Sequence, residues 1–355
     1  MKIAIIGAGS WGTALVSVLS KKQKVSWWIR RKTTIDYIKT HGRNTSYLTN
    51  LALNINNISL HNNIDDAIKK NDLIIVAIPS EFLFSTFNKK GALLNNKFIL
   101  SATKGVIPEK LITPFSFFSS ITDKITYGVI SGPCHAEEVA LQKQSYITIS
   151  TESMNNALYL KSIFTSNFLQ TTLSSDIIGT EYSAILKNIY AILTGVCSGL
   201  GYGDNFIAVL ITASANELNN LLMILDPKER VITKAAYLGD LLVTCYSTHS
   251  RNRNLGFLIG TGVPVQKAIT QSQMVAEGYH ATASIYKIIA SLKRTNETPI
   301  LNITHNIIHL GKDPKLQINS LVPLICWKSD PWESSHTSVT FKDFVFLILF
   351  KVKPF

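Results

Sequence analysis

The hydrophobic pattern changes character about halfway along the chain. The first half contains short apolar runs separated by polar or helical stretches, and each run has the length and composition of a buried strand. Strands that alternate with helices are typical of a doubly wound α/β sheet, so we predict an N-terminal Rossmann-type domain over residues 1–175. The predicted strands are residues 3–6, 24–29, 72–78, 98–102, 126–130, 146–150 and 168–172, with a short helix at residues 64–70.

The second half has long helical periods and few strand-like runs. Asp176 is a suitable N-cap for a helix that is apolar on nearly every face after Ser183, which is typical of a buried helix. We therefore predict an all-helical C-terminal domain over residues 176–320, followed by an atypical tail over residues 321–355. Further helices are predicted at residues 205–225, 237–247, 251–260, 276–294 and 299–309.

The first predicted strand runs into a Gly-x-Gly-x-x-Gly turn formed by Gly7, Gly9 and Gly12. Gly7 permits a tight turn, Gly9 lets a dinucleotide pyrophosphate approach the backbone, and Gly12 lets the next helix, predicted at residues 13–21, pack on the strand. The N-terminus of that helix offers free N–H groups to phosphates. An ordinary strand–helix turn is the alternative, but the position between strand and helix favours a dinucleotide site.

The end of the second predicted strand indicates which dinucleotide is bound. An acidic residue there holds the 2′-hydroxyl of NAD, whereas an arginine suits the 2′-phosphate of NADP. The strand ends in Arg30, Arg31 and Lys32, and no Asp or Glu occurs between Gly12 and Asp36. We therefore predict that NADP is preferred over NAD. The competing interpretation is that the three cations are only the solvated start of a helix.

Composition narrows the class of ligand. The 355-residue chain has a formal net charge of +12 and is 46% hydrophobic, but its Lys and Arg residues are scattered and form no long basic run. This pattern fits a small phosphorylated molecule better than nucleic acid. The cysteines lack the spacing of a zinc site or a disulfide framework, so we predict no metal site. They are Cys134, Cys197, Cys245 and Cys326.

The same features predict a cytoplasmic protein. Unpaired cysteines indicate a reducing compartment, and a chain that starts directly with a strand leaves no room for a signal peptide. The longest apolar runs, residues 189–203 and 344–350, are shorter than the ~18 residues that a membrane span needs, so no integral span is expected. A homodimer is compatible with these features.

Lys187 is the most informative charge in the chain, because a buried apolar helix rarely carries an ammonium group without a partner or a function. Desolvation would lower its pKa, and such a lysine can act as general acid and base. The polar Asn188 beside it supports this interpretation, and a lysine that snorkels at a helix edge is the alternative. Asp240 is a single carboxylate among apolar residues, and it could pair with Lys187 or cap the helix after Gly239.

Ligands of doubly wound sheets bind outside the carboxyl ends of the strands. These ends carry residues 79–80, 103–105 and 131–138. We expect Lys104 to contact a ligand there, and we expect His135 to have a structural or orienting role because no partners for a triad or a metal cluster are evident. Ser250, Arg251 and Asn252 begin a predicted helix and could bind a phosphate, or they could form a solvated basic turn.

Seven short motifs occur in order along residues 1–315. They are Gly7-Ala-Gly-Ser-Trp-Gly-Thr-Ala14, Ala102-Thr-Lys-Gly105, Ile130-Ser-Gly-Pro133, Leu186-Lys-Asn-Ile189, Leu238-Gly-Asp-Leu-Leu-Val-Thr-Cys245, Ser250-Arg-Asn-Arg253 and Val275-Ala-Glu-Gly-Tyr279. Together they resemble the motifs of the bacterial NAD(P)-dependent sn-glycerol-3-phosphate dehydrogenase family, whose members interconvert dihydroxyacetone phosphate and glycerol 3-phosphate.

The resemblance implies a role for each matching residue. Lys187 would be the proton donor and acceptor at the substrate carbonyl, with Asp240 beside it. The implied substrate contacts are Lys104, Gly132, Cys134, Lys187, Asp240, Ser250, Arg251 and Asn252. The implied cofactor contacts, besides the three glycines, are Ser10, Trp11, Arg30, Arg31, Lys104, Ala136, Arg251, Val275 and Glu277. The implied physiological role is the supply of glycerol 3-phosphate for phospholipid synthesis.

The chain departs from the family pattern at two motifs. Many members have Gly-Pro-Thr-Phe where this chain has Gly132-Pro-Cys-His135, and many have Thr-Arg-Gly where it has Thr212-Ala-Ser214. The residues from about Trp327 onward match nothing in the family.

Two rival functions follow from the sequence. One is a reductase of the same architecture that acts on another hydroxy acid or on an acyl thioester, and the phosphate-binding pattern at residues 250–252 argues against it. The other is a noncatalytic dinucleotide sensor, and the presence of both Lys187 and Asp240 argues against that.

Overall fold

The protein has an N-terminal α/β domain followed by a helical C-terminal domain, as predicted. A computed structural model describes residues 1–271 and 276–325. Val275, Cys326 and the tail from Trp327 onward, including the apolar run at residues 344–350, lie outside the described residues.

Eight strands form one sheet. They are β1 (Ile3–Ile6), β2 (Val25–Trp28), β3 (Ile58–His61), β4 (Leu73–Val76), β5 (Phe98–Ser101), β6 (Thr126–Ser131), β7 (Ser145–Thr151) and β8 (Leu169–Ser174). The spatial order is β3-β2-β1-β4-β5-β6-β7-β8, and each neighbouring pair is parallel except β6 and β7. The order reverses direction between β1 and β4, so ligands are expected in the crevice at the carboxyl ends of these two strands.

The helices cover both faces of the sheet and build the second domain. In the first domain they are α1 (Ser10–Leu19), α2 (Lys32–His41), α3 (Ile64–Lys69), α4 (Leu83–Phe87), α5 (Gly91–Leu94), α6 (Pro114–Ile121), α7 (Ala136–Ala140) and α8 (Met154–Phe164). In the second they are α9 (Ile177–Gly199), α10 (Asp204–Leu225), α11 (Asp240–Tyr246), α12 (Arg251–Gly260), α13 (Val265–Gln271), α14 (Glu277–Ser291), α15 (Pro299–Leu310) and α16 (Pro314–Ile325).

Several elements differ from the sequence-based expectation. Strand β3 lies in a stretch expected to be polar loop, and it was missed because it is an edge strand in which Ile58 is the one buried residue. Helix α11 starts at Asp240 and not at residue 237, because the preceding residues Ala235–Gly239 form a π-helical turn. Helix α16 runs across residue 320, at which the predicted helical domain ends.

Helix α9 is the centre of the second domain. Its residues from Ser183 to Cys197 are buried on every face, and α10, α11, α12, α14 and α15 pack around it. Asp176 caps it as predicted, with a side-chain oxygen that accepts a hydrogen bond from the Gly179 N–H at 3.1 Å. Because this helix has no solvent-facing side along that stretch, a polar residue in it must find its partner inside the protein.

The two domains are joined through a buried carboxylate, Glu181 of α9. It accepts hydrogen bonds from the backbone N–H of Phe115, at 3.1 and 3.2 Å, and from the hydroxyl of Tyr127. Phe115 lies in the first turn of α6 and Tyr127 lies on β6, so one side chain of the helical domain caps a helix and contacts a strand of the other domain. Burial is the main cause that raises the pKa of Glu181 to about 7.

Among the described residues, one helix, α10, is long and apolar enough to cross a membrane by length and composition. From the sequence, no apolar run long enough to span a membrane was predicted. The core helix of a globular domain passes the same test, and one face of α10, including Ile207, Leu210 and Leu218, lies in the core of the helical domain.

Candidate active site

The glycine-rich turn between β1 and α1 is held by close backbone contacts. Gly7 has φ +121°, and a Cβ there would lie 2.4 Å from the carbonyl oxygen of Ala77. A Cβ on Gly12 would lie 2.3 Å from the carbonyl oxygen of Gly7. Both positions therefore require glycine for the turn to close. The indole N–H of Trp27 donates to the Gly7 carbonyl at 2.8 Å and fixes the turn to β2.

Gly9 differs from the other two glycines. A Cβ there would meet no described atom within 4 Å, so the protein's own packing does not require glycine at this position. Gly9 is the N-cap of α1, and no side chain of the described residues caps that helix. The first N–H groups of α1 are thus left for a ligand, and the residues present fit a dinucleotide pyrophosphate.

A cavity of about 880 Å³ extends from this turn to the start of α12, between the two domains. Its lining combines predicted cofactor contacts with predicted substrate contacts. The predicted contacts that line the cavity are Gly7, Gly9, Ser10, Trp11, Arg30, Arg31, Lys104, Cys134, Ala136, Lys187, Ser250, Arg251, Asn252 and Glu277. The fold therefore brings residues that are up to about 270 positions apart in sequence to one crevice.

Arg30 and Arg31 lie at one end of this cavity, directly after β2, and both are exposed. The Arg30 guanidinium lies 5.5 Å from the ring centre of Phe82. Arg31 is the N-cap of α2, so these residues do form a helix start, as the competing interpretation held. The Arg30 and Arg31 residues nevertheless also line the cavity.

Lys187 and Asp240 form a buried ion pair at the other end of the cavity. Lys187 Nζ donates to Asp240 Oδ1, and the two side chains are 5% and 1% exposed. The second carboxylate oxygen accepts from the Ser131 hydroxyl at 3.0 Å and from the Gly132 N–H at 3.2 Å. Asp240 therefore pairs with Lys187 and also ties α11 to the end of β6, and Lys187 is not a snorkelling residue at a helix edge.

Each charge of this pair stabilises the charged form of the other, so Asp240 raises the pKa of Lys187 and Lys187 lowers the pKa of Asp240. Burial is the largest influence on Lys187 and, with the nearby Lys104 cation, outweighs the Asp240 carboxylate, so that the pKa of Lys187 falls to about 8. Burial alone would raise the pKa of Asp240, but Lys187 and Lys104 outweigh it, and the pKa lies below its usual value. The pKa of Lys187 thus lies close to neutral pH, while Asp240 stays ionised.

Lys104 follows β5 and lies near the same pair. Burial is the largest single influence and lowers its pKa, but the Asp240 carboxylate and weaker contributions from neighbouring groups together outweigh burial, so the pKa of Lys104 is raised. Burial also raises the pKa of the Cys134 thiol to about 11, so this cysteine is a neutral thiol at pH 7. With Arg251 close by, the site has an excess of positive charge that suits an anionic substrate.

The start of α12 connects the two ends of the cavity. Ser250 is the N-cap of α12, and its hydroxyl accepts from the Arg253 N–H at 3.3 Å. Arg251 reaches across to the other domain, where its guanidinium donates to Ser10 Oγ at 3.0 Å. Asn252 uses its side-chain oxygen to accept from the Gly278 N–H at 2.9 Å, which leaves its amide N–H groups as donors.

Glu277 begins α14 and lies against the first domain. The Ser80 hydroxyl donates to its carboxylate at 3.0 Å, and burial is the main cause that raises its pKa to about 7. A Cβ on Gly105 would lie 2.7 Å from the same carboxylate, so glycine at that position makes room for it. Val275, which the same motif assigned to the cofactor, lies outside the described residues.

Two residues of the site were not singled out from the sequence. Ser131 bonds Asp240, and Ser80 bonds Glu277. Both lie at carboxyl ends of strands, where the sequence placed ligand contacts in general, so position in the sheet was the available signal.

The remaining parts of the site agree with a small-molecule crevice. Asn188 lines the cavity and donates to the Ala184 carbonyl at 3.2 Å. Within residues 1–271 and 276–325, no cluster of His, Cys, Asp and Glu side chains could hold a metal ion. Cys134, Cys197 and Cys245 are buried and unpaired.

Two family models match the chain. The model described as NAD-dependent glycerol-3-phosphate dehydrogenase N-terminus matches residues 2–157, and the one described as its C-terminus matches residues 176–319. The chain is 35% identical over 334 residues to glycerol-3-phosphate dehydrogenase [NAD(P)+] of Clostridium botulinum (strain Eklund 17B / Type B), covering 90% of this chain and 97% of that protein. It is 33% identical over 328 residues to the Bacillus subtilis (strain 168) enzyme of the same name, covering 90% and 94%.

Solved structures agree with this relationship. The crystal structure of glycerol-3-phosphate dehydrogenase from Coxiella burnetii superposes with a TM-score of 0.86 at 29% identity, over 90% of this chain and 98% of that one. The likeness covers both domains, and so it includes both ends of the crevice described above.

Proposed function

This chain belongs to the NAD-dependent glycerol-3-phosphate dehydrogenase family, and we propose that it works in the reductive direction, from dihydroxyacetone phosphate to sn-glycerol 3-phosphate. It is an oxidoreductase that acts on a CH–OH group and uses NAD or NADP. The proposed role of the product is phospholipid synthesis in the cytoplasm. The observation that carries the proposed function is the buried Lys187–Asp240 pair in the crevice, because a lysine with a pKa of about 8 can donate a proton to a carbonyl oxygen and take one back near neutral pH.

Lys187 acts as the general acid. The reduced nicotinamide supplies the hydride to the central carbon of the substrate when it is bound. The negative charge that develops on the carbonyl oxygen is stabilised by the Lys187 ammonium, which then donates its proton to that oxygen. Asp240 orients Lys187 and keeps it charged, and Asp240 is itself held by Ser131 and by the backbone of Gly132. In the reverse direction neutral Lys187 accepts the proton.

The start of α12 binds the substrate phosphate. Arg251 and the side-chain amide of Asn252 lie there with the helix N-terminus, and the three together match a dianionic group. Lys104 and Cys134 line the cavity beside the substrate, and Lys104 adds positive charge there. The proposed contact of Gly132 with the substrate lies behind this lining, where its N–H holds Asp240. Ser250 caps α12 and so holds the phosphate site in shape, beside its proposed contact with the substrate.

The first domain binds the dinucleotide. The turn at Gly7, Gly9 and Gly12 and the N-terminus of α1 hold the pyrophosphate, next to Ser10 and Trp11. Arg30 and Arg31 bind the 2′-phosphate of NADP, and NADP is therefore the proposed preference. Ala136, Glu277 and, outside the described residues, Val275 contact the cofactor near the substrate.

We propose no nucleic-acid partner, because the cationic residues of the site line a crevice between the two domains that suits a small anion. A homodimer is the proposed assembly. The functional division is a cofactor domain over residues 1–175 and a substrate domain over residues 176–320, followed by the tail at residues 321–355.

The experiment that tests this function uses the purified full-length protein. NADPH absorbance is followed before and after addition of dihydroxyacetone phosphate, and then with 2-oxo acids and acyl thioesters as alternatives. We expect oxidation of NADPH only with dihydroxyacetone phosphate, and formation of glycerol 3-phosphate in equal amount. Turnover of another carbonyl substrate would favour a different reductase, and NADPH binding without any turnover would favour a noncatalytic sensor.

A further inference from the structure

Asp240 follows directly after the π-helical turn Ala235–Gly239. The backbone N–H of Asp240 donates to the carbonyl oxygen of Ala235, five residues earlier, as a π-helix requires. Turns of this kind are rare and occur frequently at functional sites. The placement of the Asp240 carboxylate beside Lys187 therefore depends on how this turn lies on α9, the helix that carries the lysine.

Two side-chain hydrogen bonds anchor the turn to α9. The hydroxyl of Tyr237 donates to Oδ2 of Asp176, the N-cap residue of α9, at 2.5 Å. The buried hydroxyl of Ser183 donates to the carbonyl oxygen of Ala236 at 3.1 Å. Ser183 is four residues before Lys187, so this second bond lies on the face of α9 that carries the lysine. The turn is thus fixed to the same helix as Lys187.

The carboxylate that accepts the tyrosine bond is itself held from several sides. Oδ1 of Asp176 accepts from the Gly179 N–H at 3.1 Å, and Arg230 donates to both oxygens, at 2.7 and 3.2 Å. A Cβ on Gly179 would lie 2.2 Å from this carboxylate, so glycine there makes room for the cluster. Burial is the largest influence and would raise the pKa of Asp176, but the hydrogen bonds from Arg230 and Tyr237, with weaker contributions, outweigh it and lower the pKa. Asp176 is therefore an ionised, fixed anchor for the tyrosine.

Asp240 is also held by the first domain, but those bonds do not place it relative to α9. Its Oδ2 accepts from the Ser131 hydroxyl and from the Gly132 N–H, both at the end of β6. Tyr237 is 4% exposed and does not line the cavity, so it acts on the chemistry through other residues. The bonds from β6 tie the carboxylate to the sheet, whereas the bond of Tyr237 ties the preceding turn to the helix of Lys187.

We propose that Tyr237 is a positioning residue that holds Asp240 against Lys187 by anchoring the π-helical turn to Asp176. The proposal rests on the function proposed above, in which Lys187 is the general acid. The titratable groups that act on Lys187 are Asp240 on α11, Lys104 after β5 and Cys134 after β6. Of these, Asp240 most strongly favours the charged lysine.

Loss of the Tyr237 hydroxyl therefore has a defined consequence. The turn is released from Asp176, the Asp240 carboxylate withdraws from Lys187, and the lysine loses its proton at a lower pH. A direct electrostatic effect is small, because Asp176 and Lys187 are eleven residues apart on α9, which is about 16 Å at 1.5 Å per residue. The effect on the lysine must pass through Asp240.

The pKa of Lys187 is measured without any need for turnover, by NMR titration of the full-length protein that carries isotopically labelled lysine. The signal is assigned by its absence in Lys187→Met. Tyr237→Phe removes the hydroxyl and keeps the ring in the core. Tyr202→Phe is the matched control, because its hydroxyl donates to Asn319 at 3.4 Å and neither of these residues lines the cavity. Both substitutions are also made in Asp240→Asn.

In wild type we expect a pKa of about 8 for Lys187. In Tyr237→Phe this pKa should fall by roughly half a unit or more, and in Tyr202→Phe it should match wild type. In Asp240→Asn the change of Tyr237 to Phe should cause no further fall, because the carboxylate through which Tyr237 acts is gone. An unchanged pKa in folded Tyr237→Phe would overturn the proposal. An equal fall in the Asp240→Asn background would also overturn it, since Tyr237 would then act by another route.

Kinetics of the same variants separate this proposal from the proposed function. In single-turnover reduction of dihydroxyacetone phosphate by NADPH, the fall in rate at high pH should move with the pKa of Lys187, while the KM for NADPH stays the same. If the pKa shifts as expected but wild type does not reduce dihydroxyacetone phosphate, the positioning role of Tyr237 is supported and it is the proposed function that fails.

Discussion

In the function proposed above, the two ends of the crevice bind charged groups by different physical means. At the dinucleotide end the binding groups are backbone N–H groups of α1, made accessible by Gly7, Gly9 and Gly12. At the substrate end they are side-chain charges, with Lys187 and Asp240 buried in a helical core. A backbone site depends on the absence of side chains, whereas a buried ion pair depends on both partners. Substitutions should therefore affect the two ends in different ways.

The largest expected effect is at the substrate end. Lys187→Met keeps most of the side-chain length but removes both the proton donor and the cation that stabilises the oxyanion, so turnover should fall by roughly a hundredfold or more. NADPH affinity, measured by fluorescence, should stay within about twofold because the glycine turn is on the other domain. Lys39→Met, at an exposed position of α2, is the matched control and should retain full turnover. A loss below tenfold for Lys187→Met would exclude it as the acid.

The glycines sharpen the comparison at the dinucleotide end. In Gly12→Ala the new Cβ would lie 2.3 Å from a backbone oxygen, so both the thermal midpoint and NADPH affinity should fall. In Gly9→Ala the Cβ meets no described atom within 4 Å, so stability should change by less than about 0.5 kcal/mol. NADPH affinity should still fall, by roughly tenfold, because the methyl group occupies space next to the pyrophosphate. Equal destabilisation by both substitutions would contradict this distinction.

Cofactor choice provides a test with a smaller expected effect. Replacing Arg30 and Arg31 by Ser removes two cations from the end of β2, and only NADPH carries the phosphate that they would bind. The KM for NADPH should rise about tenfold or more, while the KM for NADH should change little. Lys32→Ser is the control, since Lys32 is adjacent in sequence but does not line the cavity. Equal loss for both cofactors would show that the arginines do not read the 2′-phosphate.

The junction between the domains should respond to pH. The pKa of Glu181 is about 7 in the folded protein, against a usual value of 4.5, so the folded state binds more protons than the unfolded state between these values. Stability contributed by this group is therefore greatest below about pH 4.5 and decreases as the pH rises through 7. Glu181→Gln should reduce the decrease in unfolding free energy between pH 5 and pH 8, measured by urea denaturation. An identical pH dependence in both proteins would exclude Glu181 as the cause.

The central strands of the sheet were easier to predict from the sequence than the partly exposed elements. The strands at the centre of the sheet are continuous apolar runs that are buried on both faces, and they were readable for that reason. Strand β3 and helix α13 are partly exposed, so their hydrophobic pattern is weak, and neither was predicted. The π-helical turn before Asp240 packs against α9 and against β7 of the first domain, and no local sequence pattern indicates it.

The candidate site was predictable where a residue was chemically out of place. Lys187 in an apolar helix and Asp240 in an apolar run could each be identified from the sequence as candidates. Their direct contact and the hydrogen bonds from Ser131 and Gly132 to Asp240 could be seen only in the structure. The bond from Arg251 to Ser10 joins residues 241 positions apart, which no spacing rule predicts. His135 was expected to orient or support the site, and its place in the lining of the cavity became visible only with the fold.

The pH dependence of hydride transfer tests the central role of Lys187 most directly. Single-turnover reduction of dihydroxyacetone phosphate is measured with enzyme-bound NADPH between pH 6 and pH 10, in wild type and in Asp240→Asn. The reductive rate in wild type should be constant at low pH and should fall above about pH 8, as Lys187 loses its proton. In Asp240→Asn the fall should occur at lower pH, because the carboxylate that favours the charged lysine has been removed. A rate that does not change across this range in wild type, or a fall that moves to higher pH in the variant, would contradict Lys187 as the proton donor.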